Sequence, residues 1–425
     1  MKTIAQIAAE LQGYDPQALH ADQVNAFLHQ LVQPVAGTEE VGIFEALGRV
    51  LAQDVISPID VPAHDNSAMD GYALAGSDLQ PAADTLLRCV GTAFAGAPWQ
   101  GRVAAGECLR IMTGAVLPAG LDTVVPQELC RAEGQQVIIA PGVIRPGENR
   151  RQRGEDLACG QPALQAGRVL LPADVGLVAS LGMATVAVRR RLRVALFSTG
   201  DELRTLGQPL APGCIYDSNR YSLMAALQRL GMDVIDLGLV RDDPAALQAT
   251  LEAAVAQADV VLTSGGVSMG EADYTRDLLA RMGEVAFWKV AMRPGRPFAF
   301  GPLRAGERQS WLFALPGNPV AALVTFYVFA REALLRLAGA TPQPLPVLQA
   351  RSTQAIRKRP GRTEFQRGTV SRGADGLWQV QITGSQGAGI LRSMSQANAL
   401  VVLGHEQGSV AAGEPVDVWL FEGLV

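Results

Sequence analysis

The sequence predicts a multidomain α/β plus β protein, on three observations. Its 425 residues are more than a single hydrophobic core typically holds, and this length suggests roughly two to four domains. Residues 193–338 alternate between strand-length apolar runs and helical patterns, which indicates a doubly wound, mainly parallel sheet. Residues 56–149 and 341–425 instead contain short β-type runs broken by Gly and Pro.

In the central region, each predicted strand is followed by a predicted helix. The strands are "RVALFS", "DVIDLGLV", "DVVLTS" and "SWLFAL", each an apolar run of strand length. The helices are "NRYSLMAALQRLG", "PAALQATLEAAVAQ", "ADYTRDLLARMG" and "PVAALVTFYVFAREALLRLAG". We therefore assign residues 189–340 to the α/β domain.

The regions on either side predict three further domains. Residues 1–55 read as helical, with "ADQVNAFLHQLV" preceding "IFEALGRVLAQDV", and we expect them to join 150–188 in a discontinuous helical linker domain. Residues 56–149 form a β-rich domain. After the linker "TPQPLP", the spacing of short strands within 341–425 suits a small β-barrel or sandwich, of which we expect the barrel.

The composition excludes several classes of protein. A net charge of −5 and a pI near 5.5 give no global field that would attract nucleic acid or an anionic membrane. No uninterrupted apolar run reaches the ~18 residues of a membrane span, and the N-terminal stretch does not resemble a signal peptide, so we expect a soluble, cytoplasmic protein. The five cysteines and four histidines lack CxxC and HxxxH spacings, so neither a disulfide framework nor a zinc site is predicted.

Acidic residues follow the predicted parallel strands. Ligands of open α/β sheets bind beyond the carboxyl ends of the strands, so these residues should share one rim of the sheet. Clustered carboxylates raise each other's pKa unless a cation neutralises them, and Mg²⁺ fits because it accepts a few carboxylates, waters and phosphate oxygens. The rim residues are Asp201, Glu202, Asp242, Asp243, Glu271 and Asp273.

The same rim offers two means of binding an anion. The glycines at 265, 266 and 317 can present backbone N–H groups to an oxyanion. The neighbouring stretch "FWKVAMRPGRPFAFG" adds Lys289, Arg293 and Arg296. A single such loop is more often an ordinary helix cap, and we favour that role for Asp243 and for Asp217 or Ser218. No GxxxxGK[ST] stretch occurs, which excludes a P-loop enzyme.

Seven motifs, in order and spacing, resemble the MoeA family of bacterial molybdopterin molybdenumtransferases, which is related to the E domain of gephyrin. They are "DNSAMDGYA", "RIMTGA", "RRQRGED", "ALFSTGDEL", "GGVSMGEADY", "KVAMRPGRPFAFG" and "LPGNPV". The resemblance covers nearly the whole chain. It implies an elongated four-domain subunit, a homodimer, and insertion of molybdate into adenylylated molybdopterin with Mg²⁺ dependence and release of AMP. A transient contact with the molybdopterin adenylyltransferase follows from the same resemblance.

The resemblance also assigns roles to residues of this sequence. Its catalytic positions are Asp70, Thr113, Asp156, Asp201, Glu202, Asp242 and Asp273, of which Asp201, Glu202, Asp242 and Asp273 would hold the metal. Substrate would contact Gly265, Gly266, Ser268, Pro316, Gly317, Asn318 and Pro319. Molybdate would lie near Lys289, Arg293, Arg296, Pro297, Arg362 and Ser393.

The sequence departs from the family pattern at two places. Arg293 and Arg296 replace lysines of the basic strip, so a planar guanidinium stands where the family has a point charge. Ala321 replaces a serine of the "PGNPVS" loop. Two other functions stay open from the residues alone: a nucleotide-dependent kinase or phosphatase that uses the same rim, and a scaffold protein like some relatives of gephyrin.

Overall fold

The computed structural model describes residues 4–10, 14–265 and 273–423. A π-helical turn, Phe326–Ala330, joins the helices Pro319–Thr325 and Arg331–Leu337 into one long helical segment. The α-helices are α1 Ile4–Glu10, α2 Ala21–Leu31, α3 Pro172–Ser180, α4 Ser218–Arg229, α5 Pro244–Gln257, α6 Asp273–Met282, α7 Pro319–Thr325, α8 Arg331–Leu337 and α9 Leu391–Gln396.

The strands fall into three six-stranded sheets and several two-stranded ladders within the described residues. In chain order they are β1 Thr38–Gly42, β2 Val55–Ile56, β3 Asn66–Ser67, β4 Gly71–Leu74, β5 Thr85–Ala93, β6 Glu107–Ile111, β7 Thr123–Pro126, β8 Arg131–Glu133, β9 Gln136–Ile139, β10 Arg150–Arg151, β11 Pro162–Leu164, β12 Thr185–Arg189, β13 Arg193–Thr199, β14 Leu203–Arg204, β15 Ile215–Tyr216, β16 Asp233–Val240, β17 Val260–Ser264, β18 Ala286–Lys289, β19 Met292–Arg293, β20 Pro297–Ala305, β21 Arg308–Leu315, β22 Leu348–Ser352, β23 Thr363–Arg372, β24 Trp378–Ile382, β25 Ala399–Leu403 and β26 Pro415–Leu420.

The central sheet has the order β16-β13-β17-β21-β20-β18. Its first four strands run parallel, and the register aligns Phe197, Thr263 and Ala314 across three of them. Strand β20 runs antiparallel to β21, and the edge strand β18 runs antiparallel to β20. The predicted doubly wound, mainly parallel sheet is therefore confirmed. Its antiparallel edge was not predicted, because residues 287–301 had been identified only as a basic stretch.

Helices cover both faces of this sheet. On one face, α5 and α6 bury Leu251 and Leu279 against Phe197. On the other face, α4, α7 and α8 bury their apolar side chains in a larger core that includes Leu196 and Leu262. Full burial of one such side chain contributes about 1.5–3 kcal/mol relative to exposure. The two cores hold the ends of the strands in fixed positions.

The N-terminal region differs in part from its helical prediction. Helix α2 forms as expected and buries Val24 and Phe27 in the core of the α/β sheet. In the stretch 43–55, however, a 3₁₀ turn replaces the predicted helix, and Leu51 bridges to Val188 of strand β12. Gly48, at φ +72°, interrupts any continuous helix there. The predicted domain boundaries remain a prediction.

The other two six-stranded sheets are formed mainly by the regions that the sequence predicts to be β-rich, 56–149 and 341–425. The first has the order β7-β4-β6-β5-β9-β8. The C-terminal strands close into a barrel, because β23 pairs with both β24 and β25, and β19 of the basic strip adds to the side of β23. Among the described residues, no helix is long and apolar enough to cross a membrane.

Candidate active site

Four loops begin at one edge of the central sheet, as predicted. Strand β13 ends at Thr199, β16 at Val240, β17 at Ser264 and β21 at Leu315, and all four run in the same direction. The antiparallel strand β20 begins at this edge, since Ala299 pairs with Ala314. The basic loop that precedes β20 therefore lies at the edge that carries the acidic loops.

Asn219 joins two of these loops. The side-chain amide of this residue, in the first turn of α4, donates to Ser264 Oγ at 2.7 Å and to the Gly317 carbonyl at 2.7 Å. Ser264 Oγ in turn donates to the Pro316 carbonyl at 3.3 Å. The sequence analysis did not select Asn219, although its place after "YDS" at a helix start was the available signal.

Gly265 and Gly317 lie opposite each other at the ends of β17 and β21. Gly265 has φ +93°, and a Cβ there would lie 2.5 Å from the Thr199 carbonyl oxygen, so only glycine fits without strain. A Cβ on Gly317 would lie 3.8 Å from Gly265 Cα. The predicted substrate residues Gly266 and Ser268 lie outside the described residues.

Two of the carboxylates at this edge cap helices, and three others are exposed. Asp243 caps α5 by accepting from Ala246 N at 2.8 Å, and Asp217 caps α4 and pairs with Arg220, so both capping predictions are confirmed. Asp201, Glu202 and Asp242 are exposed. The side chain of Asp273 lies outside the described residues.

These three exposed carboxylates offer oxygen donors of the kind that Mg²⁺ prefers. The described residues contain no group of three acidic, His or Cys side chains close enough to hold a metal ion by themselves. Mg²⁺ commonly takes one or two carboxylates and completes its shell with waters and substrate phosphates. The donor chemistry therefore fits a site that substrate completes, and the individual ligands remain a prediction.

The basic loop 293–296 packs on the segment that begins with α7. A Cβ on Gly295, which has φ +98°, would lie 2.3 Å from Thr325 Oγ1 and 3.4 Å from the Ala321 carbonyl. This close approach leaves Arg293 and Arg296 exposed on either side of the buried glycine. Arg293 is also paired in register with Glu364 of the barrel strand β23.

Arg367 of the barrel is a further candidate that the sequence analysis missed. Its guanidinium is fully buried and donates to neutral oxygens, namely Ser393 Oγ at 2.9 Å and the carbonyls of 385–387. Burial is the main cause that lowers its pKa to about 10, and the nearby Arg293 adds to the effect. The only indication of Arg367 in the sequence was that it is the second arginine of "GRTEFQR", the stretch from which Arg362 was chosen.

The two barrel residues predicted to bind molybdate have partners within the chain. Arg362 pairs with the buried carboxylate of Glu364 at 2.7 Å. Ser393 is buried, accepts from Arg367 and donates to the Ile390 carbonyl at 2.7 Å. The loop held by Arg367 reaches the α/β unit, because Val320 N donates to the Ala388 carbonyl at 3.0 Å.

In the β-rich unit, Asp70 and Thr113 form one hydrogen-bonded pair. Asp70 Oδ1 accepts from both the backbone N and the hydroxyl of Thr113, each at 2.7 Å. These two bonds, with a smaller contribution from Arg110, lower the pKa of Asp70. Both residues are exposed. Asp70 is thus a fixed carboxylate that is ionised at neutral pH.

The remaining predicted residues lie in more ordinary surroundings. Asp156 is exposed, and its backbone N donates to the Val61 carbonyl. Arg150 and Arg153 pair with Asp65 and Asp60 rather than with Asp156. Of the other predicted residues, Lys289 ends β18, Pro297 begins β20, Pro316 is buried, Asn318 precedes α7 and Pro319 is its first residue.

Known proteins resemble this chain over nearly its whole length. The MoeA N-terminal region (domain I and II) matches residues 19–182, a probable molybdopterin binding domain matches 195–336, and the MoeA C-terminal region (domain IV) matches 349–421. The molybdopterin molybdenumtransferase of Haemophilus influenzae is 42% identical over 409 residues, which are 96% of this chain and 100% of that protein. The chain belongs to the MoeA family.

Other members agree with that assignment. The molybdopterin molybdenumtransferase of a Nostoc species is 37% identical over 417 residues, covering 96% of this chain and 94% of that protein. The crystal structure of a molybdopterin biosynthesis MoeA protein from Pyrococcus horikoshii has a TM-score of 0.81 at 27% identity, covering 95% of this chain and 100% of the other. As a MoeA member, the protein is an enzyme of molybdenum cofactor biosynthesis, a molybdopterin molybdenumtransferase.

Proposed function

We propose that this enzyme inserts molybdate into adenylylated molybdopterin and releases AMP, in a Mg²⁺-dependent reaction. The observation that carries the proposal is the meeting, at one edge of the MoeA-type sheet, of exposed carboxylates, two facing glycines and a basic loop. A negatively charged phosphoanhydride and a tetrahedral dianion are substrates that such a combination suits.

The rim supplies the nucleotide end of the site. The facing backbones of Gly265 and Gly317 leave room for a phosphate or pterin group against the strand ends. Asn219 fixes the relative position of these two loops through its two hydrogen bonds. When bound, Mg²⁺ would be held by Asp201, Glu202, Asp242 or Asp273, and it would neutralise charge on the phosphoanhydride oxygens.

The basic loop and the barrel supply the oxyanion end. Arg293 and Arg296 project from a loop that Gly295 fixes against Thr325. Arg367 adds a buried positive charge close to Arg293, and its hydrogen bonds go to neutral groups. Holding molybdate beside the dithiolene sulfurs converts a bimolecular encounter into a positioned one. No side chain is needed as a nucleophile.

A homodimer would complete each site. The described hydrogen bonds of Asp70 are with Thr113 and Gln127 of its own β-rich unit. Phe44 is 99% exposed, and large apolar side chains are also exposed at Leu206 and Leu210, in the loop between β14 and β15. Exposed apolar side chains become buried when they lie in a subunit contact. We propose that Asp70 of one subunit faces the rim of the other. A transient contact with the adenylyltransferase and a cytoplasmic location belong to the same proposal.

The experiment follows substrate turnover with purified protein. Adenylylated molybdopterin and molybdate should give AMP with Mg²⁺ present and none after chelation. ATP without molybdate should give no turnover. ATP hydrolysis or transfer of its phosphate at the same rim would instead favour the kinase or phosphatase alternative, and AMP release unaffected by chelation would contradict the Mg²⁺ dependence.

A further inference from the structure

Two histidines stack where the N-terminal segment meets the barrel. The rings of His20 and His405 have centroids 3.7 Å apart and an angle of 12° between their planes. His20 is the residue before α2, and its backbone N donates to Gln23. The His405 side chain is 18% exposed, and its Nδ1 is buried with no hydrogen-bond partner. The contact therefore depends on the ring faces.

A chain of hydrogen bonds connects this stack to both halves of the proposed oxyanion site. On the α/β side, Leu19 N donates to the Lys289 carbonyl, and Ala291 N donates to the Leu19 carbonyl. On the barrel side, the His405 carbonyl accepts from Gly361 N at 3.0 Å and from Lys358 Nζ at 3.3 Å. Gly361 immediately precedes Arg362. The stack thus lies between the basic strip and the arginine loop of the barrel.

Protonation of the two rings would oppose the stack. Two imidazolium ions in face-to-face contact repel, and the buried ammonium of Lys358 adds to the positive charge around them. The opposing carboxylates are Asp22 on α2 and Glu406 on the barrel, and both are exposed, so water screens their effect. Burial, followed by the charges of His20 and Lys358, lowers the pKa of His405.

We propose that His20 and His405 are positioning residues that hold the two halves of the oxyanion site together while their rings are neutral. This inference rests on the proposed function, because it takes molybdate as the ligand of that site. A histidine with a depressed pKa contributes its stabilisation above its ordinary pKa of about 6.5, and the contribution is lost as the pH falls below that value. Molybdate binding should therefore weaken between about pH 7.5 and pH 5.5.

The test measures molybdate binding to the full-length protein by equilibrium dialysis at micromolar concentration across this pH range. We expect the wild-type affinity to fall on the order of tenfold, which lies between the repulsion of two charges in contact in bulk water and their repulsion near a protein surface. In His20→Gln and His405→Gln the two-charge repulsion is absent, so most of this fall should disappear. His29→Gln, which changes the far end of α2, is the matched control and should follow the wild type.

A second measurement uses the histidine rings directly. The chain has four histidines, so the ring signals of ¹³C-histidine protein can be assigned from these three variants. The His405 signal should titrate at higher pH in His20→Gln than in the wild type. Equal pH profiles in all variants, or independent titration of the two rings, would overturn the proposal. Failure of the wild type to bind molybdate at about pH 7.5 would instead contradict the proposed function.

Discussion

Asn219→Asp tests whether the rim is held together by one amide. The substitution keeps the size of the side chain but removes the donor that bonds Ser264 Oγ and the Gly317 carbonyl, each at 2.7 Å. A net contribution of about 0.5–1.5 kcal/mol for each bond gives a loss of about 1–3 kcal/mol. A carboxylate facing the Gly317 carbonyl also repels it, so Asp should be more damaging than Ala.

The assay combines thermal unfolding with the kinetics of AMP release. A loss of this size should lower the Tm of the unit that contains the rim by about 2–4 °C for each kcal/mol. The KM for adenylylated molybdopterin should rise, since the loops at 265 and 317 lose their common anchor. Ser222→Ala is the matched control on α4, because the described hydrogen bond of its hydroxyl goes to the Ser218 carbonyl of the same helix. A lower Tm with an unchanged KM would refute the idea that Asn219 shapes the substrate site.

Three further predictions concern the two ends of the site and the subunit arrangement. In Thr113→Val the pKa of Asp70 should rise because one of its two donors is lost, and the acid limb of the pH–activity profile should move to higher pH; an unmoved limb would separate Asp70 from the reaction. Arg293→Ala or Arg296→Ala should weaken molybdate binding by about 1–3 kcal/mol in equilibrium dialysis, with sulfate competing in the wild type, whereas unchanged binding in both would place molybdate elsewhere. Mixed dimers of inactive Asp70→Ala and inactive Asp242→Ala subunits should regain activity from one intact site, and exchange confirmed by mass without activity would mean that each site lies within one chain.

The repeating part of the fold could be predicted from the sequence. The pattern "PAALQATLEAAVAQ" gives α5 the bounds observed, with Asp243 as its cap and Pro244 as its first residue. Strand β16 likewise matches "DVIDLGLV". Periodicity succeeds here because each element buries one face against the same sheet. The stretch 43–55 has an apolar pattern that also fits a helix, and tertiary pairing with β12 together with the backbone of Gly48 decided its conformation.

The candidate site was predictable where the sequence places polar residues after strands. The parallel register brings Asp201 and Asp242 to one edge, as the alternation of strands and helices requires. Asn219 and Arg367 were missed for a different reason. Asn219 contacts residues 45 or more positions away, and Arg367 contacts a folded loop of the barrel. No local sequence pattern indicates such contacts. Assignment of α6 as a helix was confirmed, but the predicted residues at 266, 268 and 271 lie outside the described residues.

The antiparallel edge of the sheet shows a similar limit. The stretch 287–301 attracted attention for its cations, and its strands β18 and β20 were not predicted. The interrupting Pro294 and Gly295 conceal the two short runs, yet they form the loop that presents Arg293 and Arg296. The residues that form the basic loop are therefore the same residues that hide the strand pattern in the sequence.

The most direct test of the account is a single turnover that counts both products. Enzyme, adenylylated molybdopterin and molybdate are mixed with Mg²⁺, AMP is quantified by chromatography, and molybdenum retained with the protein-bound pterin is measured by mass spectrometry. We expect AMP release and molybdenum retention to rise together in equal amounts, and we expect neither to occur when one of the two substrates is omitted. AMP released without retained molybdenum, or molybdenum retained while the adenylate stays intact, would contradict molybdate insertion with release of AMP.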